Sequence, residues 1–380
     1  MIISRLKVLT LLVWFGVLVY TPGLNAYASQ YCANNKRVPV VTVIVPHGDN
    51  SSYWGKLVTL MRQAAIQLNI KLNVHYVDHS LESRFSFIES IDNILKAPGK
   101  TDYLVTSFIA TVEHQILNLA VKHNTLLFSF NAPLIGEIVE SIGRPRKPNK
   151  NWVGHIAPDD EQVGFDLAEQ LVSQSISLKR NVNILAINGP KSSEVAESRT
   201  IGLLRRLHHS KNVRLIQLLS TDWSYRNGRD QVRRLLNKNS NIDAIWAGSD
   251  ELAVAAIDEL KSLAKVDRPN LKVASIDWTP KVVPYLRRGE LLSSFGGHVF
   301  EGVWLLALIH DHYRQRDFMD ELGAEISYRL RPIKGSHADL ITALEHKKFD
   351  FRHLSRCLNT TATAYKFDAL SLLSQPANDE

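Results

Sequence analysis

Val40-Val41-Thr42-Val43-Ile44-Val45 is an unbroken run of β-branched residues. It leads through the polar turn Pro46-His47-Gly48-Asp49-Asn50-Ser51-Ser52 into Tyr53-Trp54 and an amphipathic segment at residues 54–68. A short continuous apolar run is the pattern of a strand buried on both faces, and a helix following it makes the βαβ unit of a parallel sheet. The alternation continues outward, with strands expected at 72–77, 103–106 and 126–130 and helices at 81–95 and 111–122. A second series then predicts strands at 153–156, 183–187, 214–219, 244–246, 273–276 and 291–295. Its helices fall at 161–174, 194–208, 226–236, 251–264, 281–288 and 302–315. Single cores stop growing before this length, so two series mean two doubly wound α/β lobes of parallel sheet joined by a multi-strand hinge. The expected division is an N-terminal lobe of 38–156 plus 297–331, a C-terminal lobe of 157–296, and a C-terminal extension of helical pieces at 332–380. Open α/β sheets bind ligands at the carboxyl ends of their strands, so two facing lobes would share one cleft.

The two ends of the chain bear on its compartment. Arg5 and Lys7 precede an apolar run from Val8 to Tyr20, and Ala26-Tyr27-Ala28 supplies a small-residue cleavage pattern. Residues 1–28 therefore read as a secretory signal peptide, the run being short for a membrane span; an uncleaved anchor is the alternative. Ser29-Gln30-Tyr31 before Cys32 is not the pattern of a lipid-modified cysteine. The two cysteines, Cys32 and Cys357, lie near opposite ends of the mature chain, and an oxidising compartment would let them persist as a disulfide; two buried thiols are the alternative. With 45% hydrophobic and 22% charged residues the chain is an ordinary globular one. The net charge of +7 includes Arg5 and Lys7, and the densest basic stretch, Arg144 to Lys150, is punctuated by prolines like a solvated loop. Nucleic acid is not an expected partner.

Polar and aromatic residues recur just after the strands. Trp54 beside hydroxyl and amide donors suits a sugar-like ring, whose C–H face stacks on an indole; Tyr53 reads as core. Asn131, before Pro133, can donate and accept, or can form an Asx-type turn. Arg199 offers a planar fork to a ligand, or pairs at the surface with Glu194 or Glu197. Trp223, in Thr221-Asp222-Trp223-Ser224, would form a second stacking wall. Gly248-Ser249-Asp250-Glu251 sits between a strand and a helix, where Ser249 and Asp250 are ligand candidates and Asp250 is equally placed to cap the helix. Asp277, in Ile276-Asp277-Trp278, can accept two hydroxyl hydrogen bonds. His298, after Gly296-Gly297, either reaches the cleft or only marks the crossover.

Several chemistries have no foothold. The sequence lacks a Gly-x-Gly-x-x-Gly fingerprint, a phosphate loop and a Gly-x-Ser-x-Gly elbow. His75, His79 and the His208-His209 pair lack the compact spacing of a structural zinc site, so neither metal nor cofactor is expected. An enzyme acting on a sugar-like substrate would need paired carboxylates, for which only Asp250 and Asp277 offer themselves. A DNA-binding repressor with similar lobes would need a helix-turn-helix where the signal peptide stands.

The order of these motifs resembles type I periplasmic binding proteins of the ribose-binding class. Gly154-His155-Ile156-Ala157-Pro158-Asp159-Asp160 is similar to their first interlobe crossover, and Trp246-Ala247-Gly248-Ser249-Asp250-Glu251-Leu252-Ala253 to their strand-to-helix binding turn. Through Ser51-Ser52-Tyr53-Trp54, Thr101-Asp102-Tyr103-Leu104-Val105 and Phe130-Asn131-Ala132-Pro133 the chain resembles most the autoinducer-2 receptor subgroup. The resemblance implies ligand contacts at Trp54, Asn131, Arg199, Trp223, Asp250 and Asp277. It also implies a periplasmic location, a monomer when free, a small-molecule ligand, and a partner that is a transporter's permease or the outer domain of a sensor kinase. Two departures separate the chain from both ligands of the family. Autoinducer receptors carry an arginine where this chain has Gly296-Gly297-His298, and ribose binders carry Asp-Arg where it has Asn131-Ala132.

Overall fold

The computed structural model of the protein describes residues 32, 37–46, 52–79, 83–175, 181–236, 242–262 and 271–375. The expected signal peptide, residues 1–28, and residues 47–51 of the first polar turn lie outside the described residues. Among the described residues no helix is long and apolar enough to cross a membrane.

The first lobe begins with β1 (Val40–Val45), α1 (Tyr53–Gln67), β2 (Lys71–Tyr76), α2 (Arg84–Lys96), β3 (Tyr103–Thr106), α3 (Glu113–Lys122), β4 (Leu126–Phe130), α4 (Gly136–Ile142) and β5 (Trp152–Pro158). The second is built from α5 (Asp160–Ser175), β6 (Val182–Asn188), α6 (Glu194–His208), β7 (Val213–Ser220), α7 (Tyr225–Leu236), β8 (Ala244–Ala247), α8 (Asp250–Ser262), β9 (Lys272–Ile276), α9 (Val283–Arg287) and β10 (Ser293–Gly296). The chain then returns through α10 (Glu301–Tyr313), α11 (Met319–Leu322) and β11 (Glu325–Tyr328), and crosses once more into β12 (Arg331–Lys334). Short helices α12 (Asp339–His346) and α13 (Ala369–Ser374) lie in the tail. The two sheets run β11-β5-β4-β3-β1-β2 and β12-β10-β9-β8-β6-β7. Every pairing is parallel except β10 with β12.

Burial follows the residue choice. Five of the six β1 residues, three of them branched aliphatics on α1's side, are fully covered, as a central parallel strand requires. Serines start the helices that follow the strand ends: Ser52 Oγ accepts from the Gly55 amide at 3.2 Å, Ser193 Oγ from Ala196 at 3.3 Å and Ser249 Oγ from Leu252 at 3.3 Å. The α8 cap is therefore Ser249 and not Asp250, which is the first residue inside the helix. Gly202 lets α6 cross close over α5, since a Cβ there would lie 1.9 Å from the Glu161 carbonyl oxygen. That close crossing brings Arg199 of α6 onto Asp160 of α5.

The expected boundaries need correction at both ends of the hinge. The first sheet runs to Pro158 rather than 156, because β11 pairs Tyr328 with Pro158. The described part of the expected extension, residues 332–375, is built into the lobes: Arg331 to Lys334 supply the edge strand of the second sheet, antiparallel to Ser293–Gly296. The tail then packs back on the first lobe, where Gln67 of α1 donates to Phe349 O and accepts from Phe351 N, both at 2.6 Å. Asp311 of α10, fully buried, accepts from Ser355 Oγ (2.5 Å), Arg356 N (2.7 Å), Tyr365 Oη (2.9 Å) and Cys357 N (3.4 Å), with His310 Nδ1 at 2.8 Å. Beside this hub Cys357 is joined to Cys32 in a disulfide. The apolar character of α10 follows: it packs on α1, its Trp304 meets Phe367 of the tail at 5.4 Å, and Phe300 just before it meets Phe349 and Phe351.

Candidate functional site between the lobes

The carboxyl ends of both parallel sheets carry backbone strain. Asn131 (φ 73°), Trp223 (φ 67°), Asp277 (φ 137°) and Trp278 (φ 59°) each follow a strand and sit in the left-handed region that non-glycine residues avoid. Such conformations persist only where surrounding contacts hold them, and they concentrate at functional sites.

From the first lobe, Tyr53 and Trp54 open α1. Trp54 packs edge-on against Phe130 (6.1 Å between ring centres) and parallel to His79 at 6.5 Å. The Tyr53 ring stacks on His298 at 4.6 Å, and its hydroxyl accepts from Asn131 Nδ2 at 3.0 Å. Tyr53 is thus more than the core residue its sequence suggested. The signal that finds it is its position directly after the Ser52 cap, which places it at the cleft end of the helix.

From the second lobe, Arg199 is 4% exposed and pairs through Nε with Asp160 Oδ1 at 2.7 Å, while Nη1 donates to the Gly248 carbonyl at 2.7 Å. The surface pairing with Glu194 or Glu197 is not found; the buried partner lies 39 residues away in sequence and was out of reach of local spacing. Burial works against the Arg199 charge, yet Asp160 and Asp277 outweigh it and hold the guanidinium firmly protonated. Arg199 also lies over the Trp223 ring at 5.9 Å. Trp223 in turn lies against Gly189, where a Cβ would come within 2.0 Å of the indole.

Asp250 and Asp277 separate sharply. Asp250 is wholly buried and its four acceptor positions are filled, Oδ1 by Ser275 Oγ (2.5 Å) and Ser294 Oγ (2.7 Å), Oδ2 by Thr279 N (2.7 Å) and Thr279 Oγ1 (3.0 Å). It braces β9 and β10. Asp277 retains 14% side-chain exposure, and its one close side-chain partner among the described residues is His298 Nε2, 3.3 Å from Oδ1. Burial, set against the nearby Arg199 charge, pushes the Asp277 carboxyl up to about 7. His298, 2% exposed, is held neutral, burial and Arg199 lowering it to about 3. Ser249, 6% exposed, spends its hydroxyl on the α8 cap.

Tyr53, Asn131, Arg199, Asp277 and His298 therefore form one group at the hinge, with Asp160 and Glu301 beside it. Trp223 joins through Arg199 and Trp54 through Tyr53. Three buried atoms here have no protein partner among the described residues: Asp160 Oδ2, His298 Nδ1 and Glu301 Oε1. Unpaired buried polar atoms are costly. Others occur among the described residues, as at His155 Nε2, Trp304 Nε1 and Arg356 Nε, and the three at the hinge are set apart by lying together beside Arg199 and Asp277. Among the described residues no cluster of histidine, cysteine and carboxylate could hold a metal ion. A surface hollow of about 560 Å³ lined by Arg62, Lys71, His75 and Lys100 lies at the amino ends of β1–β3, opposite the cleft.

Residues 41–304 match the family described as "Periplasmic binding protein domain". The chain belongs to the periplasmic binding protein family. Its two lobes, crossing after β5, β10 and β11, have the type I architecture of the ribose-binding class. Among known structures, this periplasmic binding protein is similar to a periplasmic sugar-binding protein from Pseudomonas fluorescens, with a TM-score of 0.77, 23% identity and coverage of 89% of this chain and 100% of that one. It is also similar to an ABC transporter periplasmic solute binding protein from Actinobacillus succinogenes with bound D-allose, with a TM-score of 0.65, 16% identity and coverage of 79% and 99%. The D-ribose/D-allose-binding protein of Pseudomonas aeruginosa is 23% identical over 145 residues, 38% of this chain and 44% of that protein. The chain thus spans less than half the length of the curated relatives it matches.

Proposed function

We propose that this protein is exported to the periplasm, binds one neutral sugar or polyol between its lobes, and hands it to the permease of an ABC transporter without altering it. The observation that carries the proposal is the meeting at the hinge of charged and polar groups from both lobes, with Asp160 Oδ2, His298 Nδ1 and Glu301 Oε1 still unpaired. Hydroxyls would complete those atoms, the open Asp277 carboxylate would accept from a pair of them, and Trp54 and Trp223 would stack on the ring's C–H faces. The proposed contacts are Trp54, Asn131, Arg199, Trp223, Asp277 and His298, with Ser249 and Asp250 shaping the turn behind them. The sugar and solute ligands named for similar proteins support the same class. The Asp250 carboxylate is saturated, so the pair that glycoside hydrolysis would need is not available.

Calorimetric titration of the mature protein with D-ribose, D-allose, L-arabinose and myo-inositol tests the proposal. Micromolar or tighter binding with unchanged sugar recovered afterwards is the expected result. Product formation, or no binding by any neutral sugar or polyol in a wider thermal-shift panel, would overturn it. Co-purification with a permease, as against a sensor kinase's outer domain, decides between delivery and signalling.

A further inference from the structure

Tyr53 lies at the first turn of α1 and reaches across to the hinge. Its ring stacks on His298 at 4.6 Å with the planes 27° apart, so its hydroxyl has a fixed direction. That hydroxyl faces two groups, the Asn131 amide at 3.0 Å and the His298 carbonyl oxygen at 3.5 Å. The hydroxyl oxygen accepts from Asn131 Nδ2, and its proton is left on the side of the His298 carbonyl, which can only accept. Only the NH2 end of an amide donates. The short bond therefore sets the arrangement: the Asn131 NH2 is turned to Tyr53, and the long contact to the His298 carbonyl is compatible with that direction.

Resting on the sugar-binding proposal above, we propose that Tyr53 is a specificity-determining positioning residue: by holding the Asn131 NH2 it presents the Asn131 carbonyl oxygen to the ligand as an acceptor. The Asn131 main chain is pinned by its left-handed backbone (φ 73°) and by the hydrogen bond its N–H donates to Ile156 O at 3.1 Å, so the bond to Tyr53 is what orients its side-chain amide. With the amide so held, the side chain turns its oxygen to the ligand as an acceptor of hydroxyl groups, and one of its two N–H donors is spent on Tyr53, so it has less to offer a carboxylate. Asn131 and Asp277, one from each lobe, then both act as acceptors. Arg199 is left as the main donor, with two of its nitrogens already engaged by Asp160 and Gly248. The selected ligand is one rich in hydroxyl donors and free of an acidic group at the end held by the first lobe.

The test is a Tyr53→Phe variant, which keeps the ring stack and removes only the hydroxyl, combined with Asn131→Ala in a double-mutant cycle. With whichever neutral sugar binds the wild type, Tyr53→Phe should weaken binding about 3- to 10-fold, the range for one neutral hydrogen bond. In the Asn131→Ala background the same change should cost less than 2-fold, roughly additive behaviour being expected only of independent sites. The preference for neutral sugar over D-galacturonate should also narrow in Tyr53→Phe alone. Independent of any ligand, the Asn131 side-chain amide signals in a 15N NMR spectrum, identified by their loss in Asn131→Ala, should move in Tyr53→Phe. Additive losses in the cycle, or unmoved amide signals, would overturn the role of Tyr53. Failure of every neutral sugar to bind would instead defeat the functional proposal, and the amide signals would still decide the role of Tyr53.

Discussion

Two buried carboxylate centres of this protein look alike in composition and differ in how far the carboxylates themselves are satisfied. Around Asp311 the carboxylate meets Ser355, Tyr365, His310 and the backbone of Arg356 and Cys357, and both of its oxygens are engaged. At the hinge, Asp160, His298 and Glu301 each keep a buried atom without a protein partner. Buried polar groups repay their desolvation only when satisfied, so the saturated Asp311 carboxylate is a fastener, whereas the hinge carboxylates keep acceptor capacity for a hydroxyl-bearing ligand. Asp250 and Asp277 repeat the contrast at closer range, one saturated by four donors and the other open towards the cleft.

The comparison breaks most visibly at Asp311. Replacing it with Ala leaves several buried donors unpaired and should cost about 3–5 kcal/mol of stability, read by urea denaturation, with sugar affinity of the folded fraction unchanged. If affinity fell in parallel, the tail would belong to the binding machinery. Removing the neighbouring disulfide with paired Cys32→Ser and Cys357→Ser changes should cost about 2–5 kcal/mol, because the bridge closes a very long loop in the unfolded chain. Thiol labelling of the unfolded, unreduced protein should find no free cysteine; labelled cysteines would remove the basis for that figure.

At the hinge the effect moves from stability to affinity. Asp277→Ala should weaken sugar binding by about 1.5–3 kcal/mol by calorimetry, the range for a hydrogen bond to a charged group, with little change in melting temperature. Asp250→Ala should do the reverse, lowering the melting temperature first. The smallest effect is one of pH. Burial raises Asp277 to about 7 in the folded protein, and burial together with the Asp277 charge raises Asp250 likewise, against about 4 in the unfolded chain. The folded state then holds the proton longer, so this contribution to stability is whole below about pH 4 and is lost as pH rises through about 7. Thermal melts from pH 5 to 8 should show a decline that Asp277→Asn flattens in part; an unchanged slope would place the titration on Asp250 or elsewhere.

Much of the fold was legible because strand and helix periodicity are local. The run Val40–Val45, the alternating segments after it and the second series all name their own structure, since a strand buried on both faces needs continuous apolar residues whatever its neighbours. The strand β12 was not legible, because Arg331-Pro332-Ile333-Lys334 is a polar edge segment with only Ile333 facing the core. Its place comes from pairing with β10.

Residue types at strand ends likewise marked Trp54, Asn131, Arg199, Trp223, Asp277 and His298 as candidates, because the sheet rule says where a cleft must lie. Sequence alone could not say that Arg199 meets Asp160, that Asp250 is saturated, or that Tyr53 reaches Asn131. Each of those contacts joins residues that are distant along the chain, 39 apart for Arg199 and Asp160 and 78 for Tyr53 and Asn131. The sequence by itself determined two doubly wound lobes, a pair of cysteines at opposite ends, and polar residues after the strands. Only the tertiary structure decided which carboxylates are spent on the framework and which stay open, because hydrogen-bond saturation depends on every group that packing brings within reach, and no local pattern records it.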